Sequence, residues 1–229
     1  MNFVYICKDG ENEELRYSIR SVVKNTNDPK IWVVGGKPDW YIGNYIKVIQ
    51  DQNKYQNALN NLRTACLSEE IPDNFILMND DFYITNKINE IKIYNNGLLS
   101  DQIDRYSNAG HRSTYLHRLG KTYAYLQKRN ILNPISYELH VPMPMEKSKL
   151  ITILEEKYSV LWRSKYGNIF NLGGETVKDV KVHKSGALLS LSHNQDEEHI
   201  PYLSSADSSF LFLLDFLNKK FPNKSIYEK

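Results

Sequence analysis

Two rhythms of apolar and polar residues alternate along the first 83 positions. Short apolar runs at Phe3–Cys7, Ile31-Trp32-Val33-Val34, Tyr45–Ile49 and Asn74–Met78 have the length and β-branched content of buried strands. Between them, Glu13–Lys24 spaces Leu15, Ile19, Val22 and Val23 along one helical face, with Asn12 placed as its N-cap. Tyr55, Leu59, Leu62 and Cys66 mark a second helix, and Lys8-Asp9-Gly10 and Gly35-Gly36 read as turns. This β/α alternation predicts an α/β fold with a mostly parallel central sheet. Ligands of such sheets gather at the carboxyl ends of the strands. That rule puts Asp9, Gly35-Gly36 and Asp80-Asp81 on one rim.

Beyond residue 83 the pattern loosens into what reads as a small inserted lobe. Ile91–Leu99 suggests a strand and turn, Ser113–Lys128 a helix, and Asn133–Pro144 an irregular, proline-punctuated stretch. Ser148–Tyr158 suggests a short helix burying Leu150, Ile151, Leu154 and Tyr158, and Asn168–Val182 a loop with short strands. Ser208–Phe221 is a clear helix, with Phe210, Leu213, Leu214 and Leu217 on its apolar face, Asp207 as a cap candidate and Pro222 as the stop. No repeat or composition break divides the chain, so a single domain over residues 1–229 is the simplest reading.

Composition adds little to this. A formal charge of +2 is too mild to mark a nucleic-acid protein, so a nucleic-acid partner draws no support from charge. The two cysteines, Cys7 and Cys66, sit in apolar runs and read as small core residues rather than a disulfide. No apolar run approaches 18 residues and the N-terminus lacks the pattern of a signal peptide, so a cytoplasmic protein without a membrane span is expected. CxxC pairs, a Gly-x-Ser-x-Gly elbow, HExxH and a dinucleotide fingerprint are all missing, which argues against zinc, serine-hydrolase and dinucleotide chemistry.

Candidate chemistry centres on Asn79-Asp80-Asp81, directly after an apolar strand. Two carboxylates held at a strand end can bind Mg²⁺ or Mn²⁺ on a diphosphate, although Asn-Asp-Asp is also ordinary turn chemistry. Arg16 and Arg20 lie four apart and share a helix face, suited either to gripping phosphate oxygens or simply to facing solvent. His140, in Glu138-Leu139-His140-Val141-Pro142 with prolines on either side of the loop, can serve as a general base or as a structural group. Arg163, in Trp162–Asn168, reads as a basic group in a polar turn.

Taken together, these segments resemble the Stealth family of capsule-type sugar-1-phosphate transferases. Asn12–Ser21 looks like the family's "NELRYSLRS" block and Tyr5–Gly10 its opening "YTWVDG". Ile31–Trp40 resembles the strand ending in "G-x-x-P-x-W", and Phe75–Asp81 resembles "FIYLNDD". Leu139–Pro142 and Arg163–Asn168 resemble the later histidine and arginine blocks, and Phe212–Glu228 the closing "FP-x-x-S-x-F-E". The chain departs from the pattern at Asn60, where an acidic residue is usual, and at Ser192-His193-Asn194, where the family has an "ND" pair.

The resemblance implies a GT-A-like, Rossmann-like domain whose half 1–83 binds a nucleotide sugar and whose half 84–229 carries acceptor and catalytic groups. It implies Asp80 and Asp81 as metal ligands for Mg²⁺ or Mn²⁺, and His140, Asp81 and Arg163 as catalytic residues. Asp9, Gly10, Asn12, Arg16, Arg20, Asn79 and Arg112 would bind substrate. The expected reaction moves sugar-1-phosphate from a nucleotide-sugar donor to a hydroxyl acceptor. A glycosyltransferase moving the sugar itself to a glycan or modified nucleobase is the alternative. A non-catalytic carbohydrate- or nucleic-acid-binding module is the third reading, favoured by the 16 tyrosines.

Overall fold

A computed structural model describes residues 1–110, 113–154, 160–183 and 200–229. They form two compact units, the first made of residues 1–91, 140–144 and 180–229, the second of 92–139 and 145–179. In the first unit, β1 (Asn2–Cys7), β2 (Lys30–Gly35), β3 (Asn44–Lys47) and β4 (Asn74–Met78) follow the sequence pattern. They pair in parallel in the order β3-β2-β1-β4, with β7 (Met143–Glu146) beside β4. Phe3, Val4, Tyr5, Ile31, Val33, Leu77 and Met78 are fully buried. Both faces of these strands are covered, which explains continuous apolar runs instead of alternation. Because β1 lies between β2 and β4, the connections leave in opposite directions on its two sides, and a crevice opens at the carboxyl ends of β1 and β4.

Two helices frame this sheet. α1 (Glu13–Asn25) starts at Asn12, whose side chain accepts from the Leu15 amide at 2.9 Å, and has Glu13 and Glu14 in its first turn. Its buried face is not only apolar. Ser18 donates to the Phe82 carbonyl, Ser21 accepts from the Ile84 amide at 2.9 Å and Asn25 donates to the Ile84 carbonyl at 2.6 Å. These residues at i, i+3 and i+7 dock β5 (Phe82–Ile84) on α1, in the stretch that follows the candidate aspartates. β5 pairs with β10 (Tyr202–Ser205), which pairs with β9 (Lys181–Val182), giving a second small sheet. α2 (Lys54–Leu67) is capped by Asn53, packs on β1 and β2, and buries Leu59, Leu62 and Ala65. α7 (Phe210–Lys220) packs Leu213 and Leu217 against Tyr17, Tyr83, Val182 and Leu203.

The second unit holds β6 (Tyr94–Asn95), α3 (Leu99–Asn108), α4 (Thr114–Gln127), α5 (Lys147–Leu154), α6 (Trp162–Ile169) and β8 (Glu175–Thr176). Leu99, Leu119, Leu126 and Leu161 form its core, ringed by partly buried Tyr106, Tyr115, Tyr123 and Tyr125. Several of the tyrosines are therefore core residues.

Several elements differ from the sequence reading. In the stretch Ile91–Leu99 only Tyr94–Asn95 forms a strand, Leu98 makes an isolated bridge to Ile135, and Leu99 opens a helix instead of closing a turn. Trp162–Asn168 is not a turn but most of α6, which starts at Leu161 without a side-chain cap. β10 has no counterpart in the sequence reading. The last helix begins at Phe210 with Ser209, not Asp207, at the N-cap position. Tyr158 and the Ser192-His193-Asn194 stretch fall outside the described residues.

The end of the first unit is tied to α1. Glu228, its side chain fully buried, receives Arg20 through two nitrogens at 2.9 and 2.7 Å and Arg16 at 3.4 Å. Ser225 donates to the same carboxylate from its amide and hydroxyl at 2.9 and 3.0 Å. Lys229 donates to the Trp40 carbonyl, Ile42 to the Tyr227 carbonyl, and Tyr227 lies parallel to Tyr41. Burial works to raise the Glu228 carboxyl, but the Arg20 bond and the Ser225 bonds outweigh it and hold it below its ordinary value. A lowered carboxyl contributes stability above the unfolded-state pKa and loses it as pH falls through the folded-state value. Glu228→Gln is expected to cost about 2–3 kcal/mol at neutral pH, or roughly 4–10 °C in melting temperature. The gap between the two proteins should narrow on acidification, as followed by thermal melts across pH.

Candidate functional site

At the carboxyl end of β1 and β4 the chain forms a cleft of about 630 Å³, lined by Lys8, Asp9, Glu14, Asp80, Asp81 and Asp207 among others. The strand pairing builds it: Tyr5 of β1 sits opposite Met78 of β4, so Lys8-Asp9 and Asn79-Asp80-Asp81 leave the sheet side by side. Glycine shapes the neighbouring strand end. A side chain on Gly36 would stand 2.3 Å from the Asp9 carboxylate, and Gly35 has φ +115° with the Cys7 carbonyl 2.2 Å from where a Cβ would be. β2 can close against Asp9 only with glycine at both positions.

Three of these carboxylates are tethered. Asn12, while capping α1 with its oxygen, donates its amide to Asp80 at 2.5 Å. Asp81 accepts from Lys181 at 3.2 Å and from Ser204 at 3.0 Å. Glu14 accepts from Ser205 at 2.5 Å, and Ser205 pairs with the Tyr83 hydroxyl at 2.9 Å. Burial pushes the Asp80 carboxyl above its ordinary value and Asp81 adds to this, while Asn12 and Lys8 pull the other way. Burial likewise raises Glu14, opposed by Ser205 and reinforced by Asp80, Asp81 and Asp207. The cleft is a place where negative charge is crowded and a cation would relieve it.

The donor set is hard oxygen. Cys7 lines the same cleft, but burial pushes its thiol well up, keeping it protonated. Among the described residues no group of three or more His, Cys, Asp or Glu side chains is arranged around one point. Two adjacent carboxylates with remaining positions left to substrate oxygens and water suit Mg²⁺ or Mn²⁺. The rest of the lining is polar: Gln50 donates to Asn61 at 2.8 Å, Asn61 to the Cys7 carbonyl at 3.1 Å, and Asn57 and the Lys54 ammonium complete it.

The structure gathers Asp9, Asn79, Asp80 and Asp81 on the cleft wall and joins Asn12 to it through Asp80. Gly10, with φ +103° and open space around it, makes the turn beside them. Arg16 and Arg20 are engaged elsewhere, by Glu228, and Arg16 also lies over the Trp40 ring at 4.5 Å. His140 packs edge-on to Phe82, next to Asp81, at 6.2 Å between ring centres. Arg163 belongs to the second unit, buried at the start of α6 with its guanidinium donating to the Leu139 carbonyl at 3.0 Å. Arg112 lies outside the described residues. Glu14, Asp207, Lys8 and Lys54 also line the cleft, and the sequence pattern marked none of them as a site residue. Glu14 carried a usable signal, since it stands in the first turn of a helix whose cap already points to the strand end.

No sequence family and no curated protein matches the chain. Solved structures do. A galactosyltransferase, LgtC in complex with donor and acceptor sugar analogs, matches at TM-score 0.53 and 9% identity over 99% of this chain and 98% of that one. The bifunctional glycosyltransferase WbbM matches at TM-score 0.56 and 10% identity over 98% of this chain, which spans half of that chain's length. No helix among the described residues is long and apolar enough to cross a membrane. The chain has the GT-A-type α/β fold, with a mostly parallel central sheet, of these glycosyltransferases.

Asp80 and Glu14, both raised, make the folded metal-free protein bind protons more readily than the unfolded chain, so their ionisation costs stability as pH rises through the raised values. Asp80→Asn is therefore expected to raise the melting temperature by a few degrees near neutral pH in chelator-treated buffer. The gain should fade as pH approaches about 4, the ordinary carboxylate range. A lower melting temperature at neutral pH would mean that the Asn12 tether outweighs the crowding.

Proposed function

We propose that the chain is a glycosyltransferase that takes a sugar from a nucleotide-sugar donor and passes it to a hydroxyl acceptor, assisted by Mg²⁺ or Mn²⁺. The carrying observation is the acidic cleft at the ends of β1 and β4, inside a fold shared with glycosyltransferases. Asp80 and Asp81 would hold the cation. When bound, such an ion offsets charge developing on the departing diphosphate.

The chain's own groups supply orientation. Asn12 fixes Asp80, and Lys181 with Ser204 fixes Asp81. Lys8 and Lys54, the ammonium groups lining the cleft, are suited to the donor phosphates, and Asp9, Asn57 and Gln50 offer hydrogen bonds for its nucleoside. Glu14, raised above its ordinary value by burial, is placed to accept or share a proton at the cleft wall.

Transfer of sugar-1-phosphate is the second reading. The ordered blocks Asn12–Ser21, Phe75–Asp81, Leu139–Pro142 and Arg163–Asn168 favour it. In that reading His140 takes the acceptor proton and Arg163 steadies phosphate charge. The hold of Glu228 on Arg16 and Arg20 weighs for sugar transfer, because both guanidinium groups are already committed.

Incubation with a panel of nucleotide sugars and Mn²⁺, with chromatography of the nucleotide released, decides between these. Release of nucleoside diphosphate is expected, and nucleoside monophosphate would move the assignment to phosphotransfer. Asp80→Asn and Asp81→Asn should each lower turnover at least about a hundredfold, roughly 2.7 kcal/mol of barrier. A folded parent that turns over no donor would leave a carbohydrate-binding module.

A further inference from the structure

The mild overall charge conceals a sharp segregation. From Arg105 to Tyr137 the chain has six basic residues, Arg105, Arg112, Arg118, Lys121, Lys128 and Arg129, and no Asp or Glu. With 29 basic and 27 acidic residues in total, the rest of the chain is net negative. α4 runs through the middle of this stretch. Its inner side buries Leu119, Thr122 and Leu126 in the core of the second unit. Its outer side exposes Ser113, Thr114, His117, Lys121, Ala124 and Lys128. His117, Lys121 and Lys128 recur at intervals of four and seven, which aligns them along about 16 Å of helix.

Ordinary helix physics explains only one end. Lys128 and Arg129 at the C-terminus complement the helix dipole. Lys121 in mid-helix has no such reason, and the Glu or Asp at i±4 that would pair with it is missing, His117 and Tyr125 standing there instead.

We propose that this outer face of α4 is a docking surface for an acidic glycan chain, the polymer that presents the hydroxyl acceptor. The identity of the occupant rests on the sugar-transfer reading; the anionic character rests on the charge pattern alone. A membrane surface fits less well, because the exposed positions of the helix include no large apolar residue to enter the interface. Single-stranded nucleic acid fits less well, because the neighbouring Tyr106, Tyr115, Tyr123 and Tyr125 are packed into the core rather than displayed as stacking platforms.

Heparin, a 30-nucleotide single-stranded DNA and vesicles rich in anionic phospholipid serve as probes for the full chain, with binding followed from low to physiological salt. Heparin binding that weakens steeply with salt and falls at least tenfold in Lys121→Glu/Lys128→Glu is expected. Lys87→Glu/Lys219→Glu, with exposed lysines of the first unit and the same net charge, should leave it within twofold. Turnover of a nucleotide sugar in the absence of acceptor should be equal in all three proteins, which separates a failed docking surface from a failed active site. Heparin binding that ignores the α4 reversal, or tighter α4-dependent binding to DNA or vesicles, would overturn the proposal. Lys121→Gln/Lys128→Gln should show an intermediate loss and the parent melting temperature, excluding a folding defect.

Discussion

Holding ionisable carboxylates close together, largely out of water, at the point where the sheet reverses its order is the constraint around which the first unit is arranged. Asp80 gains nothing from its neighbour; burial and the adjacent Asp81 carboxylate both oppose its charge. The two stay in place because each is fastened to a different rigid element. Asn12 ties Asp80 to the start of α1, and Ser204 and Lys181 tie Asp81 to the small sheet. The polar stripe Ser18, Ser21 and Asn25 then fixes the strand that follows them. A helix that would pack adequately with an apolar face alone is thereby given a register it cannot change without leaving buried backbone groups unpaired.

What could be read from the sequence was whatever had a local cause. The four strands and the two helices between them announce themselves by period and by cap, and those rules carry Asp9 and Asp80-Asp81 to one rim. The spacing of Arg16 and Arg20 was also legible, but their partner was not. Glu228 is more than two hundred positions away, and no local pattern indicates which of two arginine roles, substrate fork or buried ion pair, prevails. The same holds for Ser204 and Lys181, ordinary residues in a stretch with no strong periodicity, whose importance comes entirely from pairing with β5 and Asp81.

In the second unit the sequence misled for a different reason. α3 begins without a capping side chain, runs for only ten residues and buries just Leu99 and Gln102, so little marks its start. α6 starts on a Trp-Arg pair, and its first turn is satisfied from elsewhere by Glu138, which accepts from the Ser164 amide and hydroxyl at 2.9 Å. Abundant tyrosine suggested ligand stacking, yet the rings of Tyr106, Tyr115, Tyr123 and Tyr125 pack against a core assembled from Leu99, Leu119, Leu126 and Leu161. Whole-chain charge failed for an arithmetic reason, since a sum cannot reveal a separation.

Ser204 and Ser205 are consecutive on β10, yet one hydroxyl serves Asp81 and the other serves Glu14 and Tyr83. A strand shifted by one position would offer Leu203 where a hydroxyl is required and reverse the sides of both serines. The small sheet therefore has only one alignment in which all these acids are satisfied. Folding and assembly of the acidic cleft share a single checkpoint, and a chain that misaligns β10 fails at both in the same step.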